Sequence, residues 1–232
     1  MSGNWLPAQA SLSAPDVDRL FFVTFALTGG FFVLVVGVLL VAVVRFRHRG
    51  DGDHRRARYE HGTWRHELLW ALVPGVLLIG LAVLSETTWF RLRAVPPADP
   101  DGLTIDILAQ QYAWHVRYPG PDNRFGRTDV SLADEANPFG LDRQDPAAAD
   151  DIVAMNELYL PEGRQVRLIL RSRDVIHGFY LPEFRTQQNV VPGAALDLWL
   201  RPTRPGRYEV FCNQFCGLGH YRMRAVLTVG DE

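Results

Sequence analysis

The chain has 232 residues, 47% of them hydrophobic, and 24 basic against 26 acidic side chains give it a formal charge of −2. Those averages suit a soluble protein, yet the apolar residues crowd into the first ninety positions and the charges, prolines and glycines into the rest, so two different solvents are implied. Every basic residue is Arg, and from Pro96 onward 19 acids face 14 arginines, a mildly acidic surface that argues against nucleic acid and suits a basic protein partner.

Residues 1–16 read as an outer N-terminal segment. From Leu20 to Val44 there are 25 residues without a charge, which at about 1.5 Å per residue exceed the roughly 30 Å of a bilayer's hydrocarbon core. We assign a transmembrane helix to 17–44. Its apolar run outlasts the roughly 7–15 residues of a signal-sequence core, and the positive charges follow it instead of preceding it, so retention as an anchor is expected.

Seven arginines fall between Arg45 and Arg65, and such residues stay on the cytoplasmic side, which makes 45–66 a cytoplasmic loop. The second span, 67–92, is built on the 18 uncharged residues from Leu68 to Ser85. Trp64, Trp70 and Trp89 near its ends suit interfacial belts, and Pro74 is expected to kink the helix or fall in its first turns. Both termini then face outward from a bacterial inner membrane, and everything beyond a Pro/Asp-rich linker at 93–102 lies in the periplasm or its equivalent.

The pattern changes to period two at Ile105 and Ile107, then Tyr112, Trp114 and Val116, Val166 to Leu170, Leu196 to Leu200, Tyr208 and Val210, and Val226 and Thr228. Pro-Gly and Gly-rich breaks separate these runs, so 103–230 is expected to be an all-β sandwich or barrel. Residues 120–151 lack periodicity and read as a long surface insertion.

The informative segment runs from Cys212 through Gln214, Cys216 and His220 to Met223. Two thiols, an imidazole and a thioether lie within twelve residues, between two strands. Soft sulfur donors beside an imidazole favour copper in an electron-transfer site. One thiolate suffices for a mononuclear centre; two at a four-residue offset can bridge a pair of ions. Each ion then needs an imidazole, and His177, expected to end a strand, supplies the second. A local Cys212–Cys216 disulfide accounts for the thiols but not for His220 and Met223. Zinc, the alternative metal, does not ordinarily take a methionine.

The pattern Cys-x-x-x-Cys-Gly-x-x-His-x-x-Met, preceded by Asp-Val-x-His, Pro-Gly-x-Tyr-x-x-x-Cys and two spans, resembles subunit II of cytochrome c oxidases from the first span to Val229. The resemblance implies a cupredoxin domain carrying the binuclear copper centre CuA. It implies that Cys212 and Cys216 bridge both coppers, that His177 and Met223 complete one, and that His220 and the Gln214 carbonyl complete the other. It also implies a proton-translocating oxidase complex in which subunit I reduces oxygen to water at a haem-copper site, with cytochrome c as donor, membrane lipid around the helices and subunit III as a further partner.

Three departures stand out. The family usually has Glu at the place of Gln214, where its side chain binds magnesium at the subunit I boundary, so magnesium is not carried over. Asn189 stands where Asp is common. Tyr112, in Gln110-Gln111-Tyr112-Ala113-Trp114, stands where a Trp takes electrons from cytochrome c, so Tyr112 or Trp114 is assigned electron uptake. Glu67 matches the Glu that admits protons to the K pathway of subunit I. Quinol oxidase subunits share the architecture without the copper ligands. A CuA subunit of a nitric oxide reductase-type complex and a copper-binding assembly protein are the alternatives.

Overall fold

The computed structural model describes residues 5–48, 50, 59–90, 92 and 102–230. Most of the 93–102 linker and the centre of the arginine-rich loop therefore lie outside the described residues. The chain divides into two units, Asp16–Arg91 and the combination of Met1–Pro15 with Leu92–Glu232.

The first unit holds two helices, α1 (Ala14–Phe46, 33 residues) and α2 (Trp64–Trp89, 26 residues). Their most apolar stretches have no buried residues. Leu and Val on every side, with no protein core to face, call for hydrocarbon as the solvent. Both helices reach past the uncharged runs, because a charged residue at a membrane boundary can remain helical while its side chain reaches water. α2 continues through Pro74; the ring cannot donate to the Trp70 carbonyl four residues earlier.

The second unit is built of two five-stranded sheets, ordered β3-β2-β1-β5-β8 and β4-β10-β9-β6-β7. The strands are β1 (Leu103–Gln110), β2 (Ala113–Tyr118), β3 (Ile152–Met155), β4 (Glu157–Pro161), β5 (Val166–Ser172), β6 (His177–Leu181), β7 (Thr186–Val190), β8 (Leu196–Leu200), β9 (Gly206–Cys212) and β10 (Arg224–Gly230). Ile105, Ile107, Leu168, Leu170, Leu198, Val210 and Leu227 face a shared interior between the sheets. Most pairs are antiparallel, but β1 runs parallel to β5 and β10 to β4, the crossed connections of a Greek-key sandwich of cupredoxin type.

Three local expectations are corrected. Tyr112 lies in the two-residue turn between β1 and β2, where Gln110 pairs with Ala113, and not in a strand. His177 opens β6 instead of ending a strand. In β10 the buried residues are Ala225, Leu227 and Val229 rather than Val226 and Thr228; period two holds with the opposite phase, which turns the Thr228 hydroxyl away from the core.

The N-terminal segment is strapped to this β unit. The Ala10 amide donates to the Glu183 carbonyl at 2.9 Å, the Leu12 amide to Arg201 at 3.0 Å, and the Thr203 amide back to Ala10 at 2.9 Å. Ala10 is fully buried, and the Ser11 hydroxyl both donates to the Phe184 carbonyl and accepts from the Ala14 amide at the start of α1.

Among the described residues, 120–151 contains no β-strand and only two short 3-10 turns, Val130–Leu132 and Pro146–Ala148. Its two ends are clamped by buried Arg117, whose guanidinium meets the Asp151 carboxylate and the Gly126 carbonyl, each at 2.5 Å, beneath the Phe125 and Phe139 rings.

Candidate metal centre

β9 and β10 are adjacent antiparallel strands, and the connection between them, residues 213–223, folds over one end of the sandwich. The Cys212 amide donates to the Met223 carbonyl at 3.1 Å, closing the base of that loop. β6 lies on the other side of β9, with Phe179 opposite Cys212. The ladder thereby carries His177, 35 positions earlier in the chain, to the cysteine.

The candidate ligands converge. The Cys212 and Cys216 sulfurs stand 3.8 Å apart, His177 Nδ1 is 3.9 Å from Cys212 Sγ, and His220 Nδ1 is 3.6 Å from Cys216 Sγ. Met223 Sδ lies 3.7 Å from Cys216 Sγ, and the Gln214 carbonyl oxygen lies 3.2 Å from Cys212 Sγ. A disulfide requires sulfurs at about 2.05 Å, so the two thiols are free. Two thiolates sharing an ion stand up to about 4.6 Å apart, twice a metal–sulfur bond of about 2.3 Å, and a thiolate and an imidazole up to about 4.4 Å. The thiol–thiol separation and both thiol–imidazole separations given above fall inside those limits, so the residues fit a soft metal held between two sulfurs.

The surroundings orient the donors. His177 is fully buried, and its Nε2 meets Asp174 Oδ1 at 2.8 Å. With Nε2–H donating to that carboxylate, Nδ1 is left as the free donor atom toward Cys212. Asp174 also accepts from the amides of Gln111 at 2.8 Å and Val175 at 2.7 Å. Burial works against the Asp174 anion, but the bonds from His177, Gln111 and Val175 hold it below the usual carboxylate range. Burial also lowers the His177 pKa, and its contacts with Cys212 and Asp174 more than reverse this. The Cys212 thiol is raised by burial yet brought down to about 6 by hydrogen bonds involving His177, the Gly178 and Gln214 backbone and His220. Burial and the adjacent Cys212 charge push Cys216 up to about 12. The pair thus carries one negative charge until cations compensate a second.

The β1–β2 turn braces the loop. Gln111 Nε2 donates to the Cys216 carbonyl at 2.5 Å. The half-buried Tyr112 ring fills the space beside Gly217 and Gly219, where an added Cβ would stand 2.6 Å from the phenolic oxygen and 2.5 Å from the ring respectively. Gly217 also holds φ +130, which side-chain-bearing residues rarely adopt. The Arg222 guanidinium lies over the same Tyr112 ring, 5.6 Å from its centroid.

Of the two residues assigned to electron uptake, Tyr112 therefore lies against the 213–223 loop, half-buried. Trp114 lies in the interior, 1% exposed, with its ring edge-on to His177 at 6.1 Å and to Phe179 at 5.3 Å. Glu67 belongs to the helical unit, in the first turn of α2. Asp174, Gln111, Gly178 and Gly219 were not singled out as site residues in the sequence. Only Asp174 carried a legible signal, an acid three positions before the candidate ligand His177.

Residues 103–229 match the family described as cytochrome c oxidase subunit II, periplasmic domain, and residues 2–87 match its transmembrane domain. An alternative cytochrome c oxidase subunit 2 of Bradyrhizobium diazoefficiens is 37% identical over 217 residues, covering 93% of this chain and 76% of the relative. A cytochrome c oxidase subunit 2 of Synechocystis is 31% identical over 239 residues, covering 95% and 70%. Among solved structures, the periplasmic domain of subunit II (CoxB) of Bradyrhizobium japonicum aligns at 25% identity with a TM-score of 0.42, covering 60% of this chain and 88% of that one. A chain of a heme-copper terminal oxidase dimer aligns at 19% identity with a TM-score of 0.45, covering 72% and 98%. A metal-competent Cys/Cys/His cluster on a Greek-key sandwich, two spans before it, and family matches along nearly the whole sequence lead to one conclusion: the chain belongs to the cytochrome c oxidase subunit II family.

Proposed function

We propose that this chain is the electron-accepting subunit of a proton-translocating haem-copper terminal oxidase, taking electrons from cytochrome c and delivering them to the haem of subunit I for the reduction of oxygen to water. The observation that carries the proposal is the convergence of Cys212, Cys216, His177, His220, Met223 and the Gln214 carbonyl at one end of the sandwich, with the sulfurs unbonded and 3.8 Å apart. Cys212, Cys216, His177, His220, Met223 and the Gln214 carbonyl would together hold a copper pair. A copper pair bound there supplies a one-electron carrier whose charge is shared through two thiolates.

The chain's own residues keep such a carrier rigid. Three of the donors are fixed on strands or at strand ends, Asp174 locks the His177 ring, and Tyr112 and Gln111 brace the loop. His177 and Met223 are nearly sealed from water, at 0% and 2% exposure. Ligands that cannot move and water that cannot reorient keep the cost of charge transfer low.

Electrons arrive beside Tyr112, with Trp114 lying behind His177, and leave through half-buried His220. Phe215, Leu218 and Tyr221 project from the same loop at 81%, 93% and 85% exposure, an apolar rim suited to partner subunits. Subunit III is a further partner, and Glu67 admits protons toward the K pathway from the inner side.

The arginines between Arg45 and Arg65 support a loop on the cytoplasmic side of a bacterial inner membrane, with the β domain on the periplasmic side. Magnesium is not supported, because the cluster offers the Gln214 and Asn189 carboxamides and no carboxylate. Family matches over both the hairpin and the β unit favour an oxidase subunit over a copper-binding assembly protein or a nitric oxide reductase subunit.

The test is Cys216→Ser in the assembled complex. Loss of paired copper, seen in metal content and near-infrared absorption, together with loss of reduced cytochrome c oxidation is expected; unchanged copper and turnover would refute the proposal.

A further inference from the structure

A cluster of carboxamide side chains lies at the edge of the copper loop. Gln187 and Asn189 are two apart on β7 and so lie on the same face of the sheet, opposite Tyr180 and Gly178 of β6. The copper loop crosses directly over Gly178: the Asn213 amide donates to the Gly178 carbonyl at 3.1 Å, and an added Cβ on Gly178 would collide with the Asn213 side chain. Asn189 thus borders the loop at the position of Gln214.

Asn189 Oδ1 accepts from Gln187 Nε2 at 2.7 Å and from Gln214 Nε2 at 3.2 Å. Gln187 Nε2 also reaches Asn213 Oδ1 at 3.5 Å. Gln214 therefore has two ends: its side chain is tied to β7, while its backbone carbonyl faces Cys212 Sγ at 3.2 Å. The cluster is built of uncharged carboxamides, and the two lone pairs of Asn189 Oδ1 are both taken by N–H donors. A divalent cation of the magnesium type seeks free carboxylate oxygens. None is offered by Gln187, Asn189, Asn213 or Gln214.

Resting on the copper reading above, we propose that Asn189 is a positioning residue for the Gln214 carbonyl. It gathers Gln187 and Gln214 into a neutral lock that sets the carbonyl against the Cys212 side of the centre and does without a bound cation. Only the acceptor oxygen at position 189 is needed for this. Asn189→Asp keeps that oxygen, whereas Asn189→Ala removes it and leaves the Gln214 side chain free to swing with its backbone.

The experiment uses the whole complex, with copper affinity by chelator competition, the near-infrared band of the loaded centre and the reduction potential as readouts. In Asn189→Ala, copper affinity falls by roughly 10- to 100-fold, as for other residues that orient metal ligands, and the band and potential shift. In Asn189→Asp, all three return toward the parent values. An unshifted band and affinity in Asn189→Ala, or equal loss in both variants, overturns the proposal. Stoichiometric retention of manganese by the parent complex, read by electron paramagnetic resonance, also overturns it. A parent complex that takes up no copper refutes the copper reading itself, a result distinct from all of these.

Discussion

Asp174→Ala tests how much of the metal site depends on residues that never touch the metal. Asp174 accepts three hydrogen bonds, at 2.8 Å from His177, 2.8 Å from the Gln111 amide and 2.7 Å from the Val175 amide. The two amides can turn to water when the carboxylate is removed, because both bonds lie at the exposed surface, in the β1–β2 and β5–β6 connections. His177 cannot, being fully buried. Leaving its Nε2–H without an acceptor costs about 1–3 kcal/mol, and the ring is then free to present either nitrogen to Cys212. A loss of about 1.4–2.7 kcal/mol at a ligand corresponds to roughly 10- to 100-fold in metal affinity. Competition titration of the purified complex against a copper chelator, followed by visible and near-infrared absorption, measures it. Asp174→Asn keeps one oxygen for His177 but cannot serve both the ring and the Gln111 amide, so it should fall between Ala and the parent. If Asp174→Ala binds copper with the parent affinity and spectrum, packing around the ring, Trp114 included, fixes the imidazole and the reasoning fails.

Other parts of the molecule respond to different perturbations. Arg117→Met strands the Asp151 carboxylate, whose side chain is 0% exposed; a loss of about 3–5 kcal/mol is expected in denaturant unfolding of the β unit, and Arg117→Met with Asp151→Leu should recover most of it. Gly178→Ala drives a methyl group into Asn213 and to 3.1 Å from Gln214 Cγ; overpacking of about 1–3 kcal/mol should lower both the melting temperature and copper occupancy. The insertion at 120–151 should loosen in acid. Hydrogen bonds from Ser131, Arg127 and the Arg127 amide hold Asp129, Asp142 and Asp145 respectively below their ordinary value of 3.8. Because the folded values are depressed, the restraint is complete above pH 3.8 and lost as pH falls through the lower folded values. Hydrogen exchange at the Ser131, Gln144 and Ala147 amides reads this directly, and protection that does not weaken as the pH is taken progressively below 3.8 would contradict it.

The sequence by itself determined the solvent of each part, the β character of 103–230 and the identity of the soft donors. These are local properties: 25 uncharged residues cannot face water economically, alternation has only one period, and two cysteines, a histidine and a methionine lie within one short segment. It did not reveal β3, β4 or β7: the exposed Ile152, Val153, Met155 and Tyr159 are themselves apolar, which hides the inside-outside alternation a half-buried strand otherwise shows, and β7 is mostly polar. The phase of β10 likewise depended on which face its neighbours covered.

Only the tertiary structure decided how the donors meet and what holds them. His177 reaches Cys212 because β6 and β9 are hydrogen-bonded neighbours, a pairing across 35 residues that no local pattern encodes. Tyr112 and Trp114, two residues apart, went to opposite environments because a turn ends between them and β2 carries the second ring inward. The docking of Ala10 onto the β unit, the Asp174 lock and the carboxamides around Asn189 are all contacts between distant segments, and such contacts exist only once the sheets have closed around a common core.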